Sequence, residues 1–404
     1  MGVKYDFDTV IDRRGTDCLK YDFGMKRKGR DDLLPLWVAD MDFKLPDEIL
    51  CEFHKRIDHG IFGYSDPLDS YYEALNRWFS GHFGYTVRPE WVTLGAGIVY
   101  GIFTAIHAYT KPGDAVMISQ PVYYPFCDSI VTNERKLVNN QLHFENGRYS
   151  FDFEDFEKKI VENDVKVYIL CNPHNPVGRV WTKEEITKVA DICLQHGVIV
   201  MCDEIHADFV YTGHKLTSYM TLPEKYLQNV VFFVSPGKTF NVAGLQPSNI
   251  IIPNEELRAK YRRANDQAGY SNAPIFGMLA TKACYTLGDE WVKQLVEYIE
   301  KNIAWIEAFV KENFPKATFV KPEGTYLVWI DFSGYGFTDD ELEHIMLEEA
   351  KLWLDSGKIF GPETAQFERF NAACPLVTVK QCFTQLKEAM DKHVKWYIIK
   401  GGFK

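Results

Sequence analysis

Lys166-Val-Tyr-Ile-Leu170, Val198-Ile-Val-Met-Cys202 and Val230-Val-Phe-Phe-Val234 are three short, predominantly apolar runs. Each is followed at once by residues that can turn the chain or carry chemistry: Cys171-Asn172-Pro173, Asp203-Glu204 and Ser235-Pro-Gly-Lys238. A strand that is apolar at successive positions is buried on both faces, which is the habit of a mostly parallel sheet covered by helices. Ala115-Val-Met-Ile-Ser119 and Asn249-Ile-Ile-Ile252 extend the series. Helical stretches lie between the runs. One spans 182–196, where Thr182 with Glu185 three residues on gives a capping-box signature. The expected fold class is therefore α/β, with a large domain over 49–288.

Beyond Asp289 the texture changes. A long amphipathic helix over 290–314 leads to a strand at Tyr326-Leu-Val-Trp-Ile330. A helix over 339–356, a strand over 366–370 and a last helix from Lys380 follow. This reads as a smaller α+β domain over 289–404, completed by the N-terminal segment 1–48.

The chain has 404 residues, 46% of them apolar and 25% charged, with 45 Lys and Arg against 56 Asp and Glu, a net charge of −11. An acidic chain whose longest basic block is Lys26-Arg27-Lys28 is not expected to bind nucleic acid. No apolar run approaches the roughly 18 residues of a membrane span. Met1-Gly-Val-Lys-Tyr-Asp6 lacks both the apolar stretch of a secretory signal and a myristoylation pattern. Nine cysteines without a C-x-x-C pair, several inside apolar runs (Cys171, Cys193, Cys202), read as reduced thiols. A cytoplasmic enzyme or binding protein is expected.

In an open α/β sheet ligands bind beyond the carboxyl ends of the strands. Lys238 at such an exit is a candidate for a depressed pKa and carbonyl chemistry, although alone it reads as an exposed loop lysine. Asp203 alone reads as a cap. Asn172-Pro-His-Asn175-Pro is a rigid turn. Gly95-Ala-Gly97-Ile98 opens an apolar helix and could present backbone N–H groups to a phosphate, though its spacing misses the dinucleotide fingerprint by one residue. In combination the four match what pyridoxal phosphate requires: a phosphate anchor, a donor to the ring hydroxyl, an acid for the ring nitrogen and an aldehyde-bonding lysine.

The strings Asp203-Glu-Ile-His206-Ala-Asp208, Lys238-Thr-Phe-Asn-Val-Ala-Gly244-Leu245 and Asn172-Pro-His-Asn175-Pro-Val-Gly-Arg-Val-Trp181 resemble fold-type I pyridoxal phosphate enzymes. Tyr5-Asp-Phe-Asp-Thr-Val-Ile-Asp-Arg-Arg-Gly15 and Trp37-Val-Ala-Asp-Met-Asp-Phe43 narrow the resemblance to the MalY/PatB cystathionine β-lyase branch, which includes cystalysin. The likeness runs to Cys374-Pro375 and so covers nearly the whole chain.

The resemblance implies that Lys238 bonds the cofactor aldehyde and moves the substrate's Cα proton. Asp203 then holds the ring nitrogen protonated, Asn175 donates to the ring hydroxyl, and His206 stands where many aminotransferases have a tyrosine. Gly97, Ile98 and Ser235 become phosphate contacts. Of Tyr123 and Tyr124, the first stacks on the ring and the second serves the leaving group. Arg369 clamps the substrate carboxylate, with Val38 beside the substrate, and Tyr64 reaches the phosphate of a second subunit in a homodimer.

Gln246 departs from the aminotransferase pattern, which places an arginine eight residues after the lysine. The implied reaction is β-elimination from an S-linked L-amino acid such as cystathionine or cysteine, with transamination as the enzyme alternative. A regulatory binding protein and a nicotinamide-binding fold are further readings. A metal site is not expected, because the histidines lack zinc-site spacing.

Overall fold

The computed structural model describes residues 3–399; Met1–Gly2, where the reading for a leader begins, and Lys400–Lys404 lie outside them. Seven strands form the large sheet: β1 (Val92–Leu94), β2 (Ala115–Ile118), β3 (Lys136–Asn139), β4 (Val165–Cys171), β5 (Ile199–Asp203), β6 (Val230–Val234) and β7 (Asn249–Ile251). Their order is β1-β7-β6-β5-β4-β2-β3, parallel except that β7 runs against both of its neighbours.

The apolar runs are continuous because each strand serves two cores. Along β4, Tyr168 and Leu170 enter one hydrophobic cluster while Val167, Ile169 and Cys171 enter another on the opposite face. Along β6, Val230, Phe232 and Val234 alternate with Val231 and Phe233 in the same way. Fully burying one such side chain is worth about 1.5–3 kcal/mol.

The smaller sheet comprises β8 (Thr318–Val320), β9 (Leu327–Asp331), β10 (Asp355–Ser356) and β11 (Phe367–Asn371), ordered β8-β9-β11-β10 and antiparallel throughout. The first hydrophobic cluster continues into it through Leu327, Trp329 and Phe370. Leu34–Pro35 pairs in parallel with Leu352–Trp353, so the N-terminal segment is stitched to the C-terminal third.

The helix expected over 339–356 ends early. An α-helix Asp339–His344 passes into a π turn Ile345–Glu349, and Lys351 then takes a left-handed conformation (φ 55°). The following residues become strand because Leu34–Pro35 offers them a ladder, a partner more than 300 positions away that local periodicity does not reveal. The last helix begins at Leu376 rather than Lys380.

Among the described residues, no helix is long and apolar enough to cross a membrane, and no cluster of side chains could hold a metal ion. All nine cysteines are free.

Candidate active site

The register Cys171↔Asp203↔Phe233 brings the last residues of β4 and β5 level with the end of β6. Beyond that edge lies a cavity of about 240 Å³ bounded by Gly97, Ile98, Tyr123, Asn175, Asp203, His206 and Lys238. Seven of the residues singled out in the sequence thus share one cavity.

Lys238 sits in the one-turn helix Pro236–Thr239, capped by Ser235, whose hydroxyl accepts the Gly237 N–H at 2.9 Å and donates to the Pro247 carbonyl. Ser235 therefore shapes the turn, and it is not among the residues bounding the cavity. The Lys238 ammonium donates to the Ala39 carbonyl at 2.5 Å. Burial, aided by the nearby Arg369 charge, lowers its pKa to about 8.

Asp203 is buried, and burial raises its carboxyl to about 7 against the opposing effects of the Ile205 N–H, which donates to Oδ1 at 3.0 Å, and of Lys238. No cation touches this carboxyl among the described residues. His206 is buried with Nδ1 unpartnered, and burial holds its pKa well below the ordinary value. Thr239 Oγ1 and Trp78 Nε1 both donate to Asp208, which fastens the lysine turn to the Asp203–Asp208 loop.

Gly97 adopts φ 88°, a conformation glycine takes without strain, and starts the helix Ile98–Tyr109. The first N–H groups of a helix have no intrahelical acceptor, so this end can receive a phosphate. Gln246 lies on the same cavity wall.

Arg369 occupies the middle of β11 opposite Asp355 and is buried. Its Nη1 donates to Asn175 Oδ1 at 3.1 Å, and its Nη2 donates to the Trp37 carbonyl at 2.6 Å and to the Asp355 carboxylate. Its Nε has no partner, and the guanidinium lies 4.9 Å from the centre of the Phe360 ring. Tyr124 is half-buried at the start of the helix Pro125–Thr132, with its ring 5.5 Å from Tyr123 and 6.1 Å from Phe360. Val38 offers its carbonyl to Asn371 Nδ2 at 2.8 Å and does not border the cavity. Tyr64 is 98% exposed and is not among the residues bounding this cavity.

Sequence reasoning missed what presents the loop 37–42. Arg13 bonds Asp40 and Asp42, each at 2.7 Å, and Lys20, only 1% exposed, bonds Asp42 at 2.8 Å. This cluster delivers the Ala39 carbonyl to both Lys238 and the Tyr326 hydroxyl. The motifs containing Arg13 and Asp42 were visible, but their pairing across the chain was not.

The residues present suit pyridoxal phosphate. Asp203 is a buried acid lacking a cation, Lys238 is a desolvated amine, His206 has an unsatisfied ring nitrogen, and a helix N-terminus closes one end. A lysine and an acid so placed at the carboxyl edge of a mostly parallel sheet define the fold-type I class.

The chain belongs to the aminotransferase class I and II family, whose family model matches residues 31–384. It is 41% identical over 386 residues to the cystathionine β-lyase PatB of Bacillus subtilis, covering 96% of this chain and all of that protein. The structure of cystalysin from Treponema denticola, which contains pyridoxal 5′-phosphate, superposes with a TM-score of 0.94 at 34% identity, covering 96% of this chain and all of the other. A PLP-bound C-S lyase from Staphylococcus hominis gives 0.89 at 30% identity, covering 96% of this chain and 98% of the other.

Proposed function

We propose that this chain is a pyridoxal phosphate-dependent β-C–S lyase that cleaves cystathionine, cysteine or related S-linked L-amino acids to a thiol, pyruvate and ammonia. The observation that carries it is Lys238 and Asp203 in one buried cavity, with Arg369 at its edge through Asn175. The cofactor, when bound, supplies an aldehyde that bonds amines and a ring that accepts electrons.

Lys238 Nζ takes the substrate's Cα proton, which suits an amine whose pKa lies near neutrality. The electron pair of that C–H bond ends in a new Cα=Cβ double bond as Cβ–S breaks, and the departing sulfur takes a proton. Tyr124, whose ring lies 5.5 Å from that of the cavity residue Tyr123, offers its hydroxyl to that sulfur in this reading. Asp203 keeps the ring nitrogen protonated, Asn175 donates its amide N–H to the ring hydroxyl, His206 flanks it, and Tyr123 covers the ring. Gly97 and Ile98 receive the phosphate, with Ser235 fixing the adjoining turn. The planar fork of Arg369 receives the substrate carboxylate, its unpartnered Nε providing a free donor, and Val38 is the further residue assigned to the substrate.

The same reading makes the protein a cytoplasmic homodimer. Tyr64 stands among the exposed apolar residues Ile57, Ile61, Phe62 and Leu68, a patch suited to a second copy whose phosphate Tyr64 would reach.

The test is to mix the purified yellow protein with L-cystathionine, without a keto acid, and measure pyruvate and free thiol together. Equal release of both, abolished in Lys238→Ala, is expected. Loss of colour without pyruvate, reversed by a keto acid, would make the enzyme an aminotransferase.

A further inference from the structure

The surroundings of Arg369 divide by direction. Its N–H donors lie in the plane of the guanidinium and go to Asn175 Oδ1, the Trp37 carbonyl and the Asp355 carboxylate, with Nε left over. Across the plane lies a ring. The guanidinium carbon sits over Phe360, 4.9 Å from the ring centre.

Phe360 is fully buried and lies in the short connection from β10 to β11. That connection is closed on itself, because the Thr364 hydroxyl sits 2.9 Å from both the Gly357 and the Gly361 carbonyls. A Cβ on Gly357 would lie 1.8 Å from the Thr364 carbonyl oxygen, so only glycine lets the loop close. The Val122 N–H then donates to the Phe360 carbonyl at 3.2 Å, which buttons the loop to the turn carrying Tyr123 and Tyr124. Trp329 and Tyr124 meet the ring at 80° and 68°, with centres 5.4 and 6.1 Å away, and fix its tilt.

A cation withdrawn from water is stabilised by the negative face of an aromatic ring, and a planar guanidinium can rest there while its edge stays open to a carboxylate. The ring takes no N–H. Asp355 does, and it is the one carboxylate in contact with Arg369 among the described residues, standing opposite it on the neighbouring strand. Without the ring face, the guanidinium would depend on that carboxylate, and each donor given to Asp355 is lost to a substrate.

We propose that Phe360 is a positioning residue for substrate recognition: its ring face holds the Arg369 guanidinium in one plane, stabilising the cation without spending the donors that a substrate carboxylate needs. This rests on the lyase reading's assignment of Arg369 to the carboxylate and goes beyond it. Phe360 acts through Arg369 alone, so it governs the affinity for α-carboxylates and not the rate of the chemical step.

The test replaces Phe360 by 4-fluoro- and then 3,4,5-trifluorophenylalanine, which keep the shape of the ring while draining its face of negative charge. With the cofactor-loaded enzyme and S-methyl-L-cysteine, KM should rise stepwise, reaching about fivefold in the trifluoro protein, with kcat unchanged. For the carboxamide of the same substrate, which brings no carboxylate, kcat/KM should stay at the wild-type value. Phe360→Leu, which removes the ring, should raise KM for the acid further, and Phe360→Tyr should restore it. A role in packing alone predicts no response to fluorination. That result, equal losses on acid and amide, or a fall in kcat with KM unmoved would overturn the proposal. If the wild-type enzyme releases no pyruvate from S-methyl-L-cysteine, the lyase reading fails by itself. Calorimetric titration with L-alanine then reads the clamp directly: about fivefold weaker binding in the trifluoro protein supports the proposal, and equal affinity overturns it.

Discussion

At the carboxyl edge of the large sheet, Asp203 and Lys238 are desolvated without a counter-ion in contact. The segment that crosses to the small sheet is held by charges that meet their opposites: Arg13 and Lys20 on Asp42, and Arg369 on Asp355. In the first region burial dominates, raising an acid and lowering an amine toward neutrality. In the second, pairing outweighs burial at Asp42, where Lys20 and Arg13 hold the carboxyl below its usual range. Unpaired buried charge is expensive, so a fold keeps it only where a ligand completes it; paired buried charge needs nothing further. The contrast separates the place where a cofactor belongs from the scaffold that presents it.

The sharpest way to break this comparison is Lys238→Ala. Removing the amine should cost at least about 10³-fold in kcat with L-cystathionine, the scale of a lost acid–base group, and abolish the yellow colour. Retained colour and turnover would place the chemistry elsewhere. Asp42→Ala should act on the scaffold instead, leaving Lys20 buried without its nearest partner at a cost of about 3–5 kcal/mol in denaturant unfolding. The sign with pH follows from the lowered carboxyl. Its stabilisation is complete above the ordinary Asp pKa of about 3.9 and is lost as pH falls through the folded-state value. The variant should therefore lose part of the wild type's acid-induced destabilisation, and an unchanged acid transition would refute the pairing argument.

Asp203→Asn sharpens the other side. The amide cannot hold a ring nitrogen protonated, and kcat should fall about 10²-fold while the protein stays folded. In the cofactor-free protein the raised carboxyl has the opposite linkage to Asp42. The folded state holds a proton that the unfolded state has lost between about pH 4 and 7, so stability falls as pH rises through that window. Thermal unfolding of the cofactor-free wild type should show this slope, and it should be shallower in the Asn variant. Glu204, pushed up to about 8 by burial, contributes a remainder that persists.

The same division explains what could be read from the chain alone. The large sheet was legible because each apolar run is local, and chemistry-bearing residues follow the runs directly: Asp203 ends β5 and Lys238 lies four residues beyond β6. The scaffold was not legible, because its pieces meet only in space. Lys20 finds Asp42, Leu34 finds Leu352, and the Ala39 carbonyl finds Lys238 from 199 positions away. Even the helix expected over 339–356 failed for this reason, since Leu352–Trp353 pairs with the N-terminal segment and Asp355–Ser356 with β11. Tyr64 was legible as a motif but faces solvent in one chain, and the role proposed for it requires a second copy that the sequence of one copy cannot position.

Asp355→Asn tests the boundary between the two regions and should give the smallest effect. Asp355 occupies the guanidinium proposed to receive the substrate carboxylate, and burial raises its pKa against the opposing pull of Arg369 and Lys28. Glu368, Tyr123 and Tyr124 are the other titratable groups that sense it. While ionised, Asp355 competes with the substrate; once protonated, it yields Arg369 without leaving two anions on one cation. For S-methyl-L-cysteine, kcat/KM of the wild type should therefore decline as pH rises through the Asp355 titration, and the Asn variant should lack that decline. At the alkaline end its KM should be about threefold to tenfold lower, with kcat unaltered, as expected for a change in ground-state binding alone. A KM that rises instead would mean that Asp355 orients Arg369 rather than competing for it, and the clamp would then belong wholly to the paired scaffold.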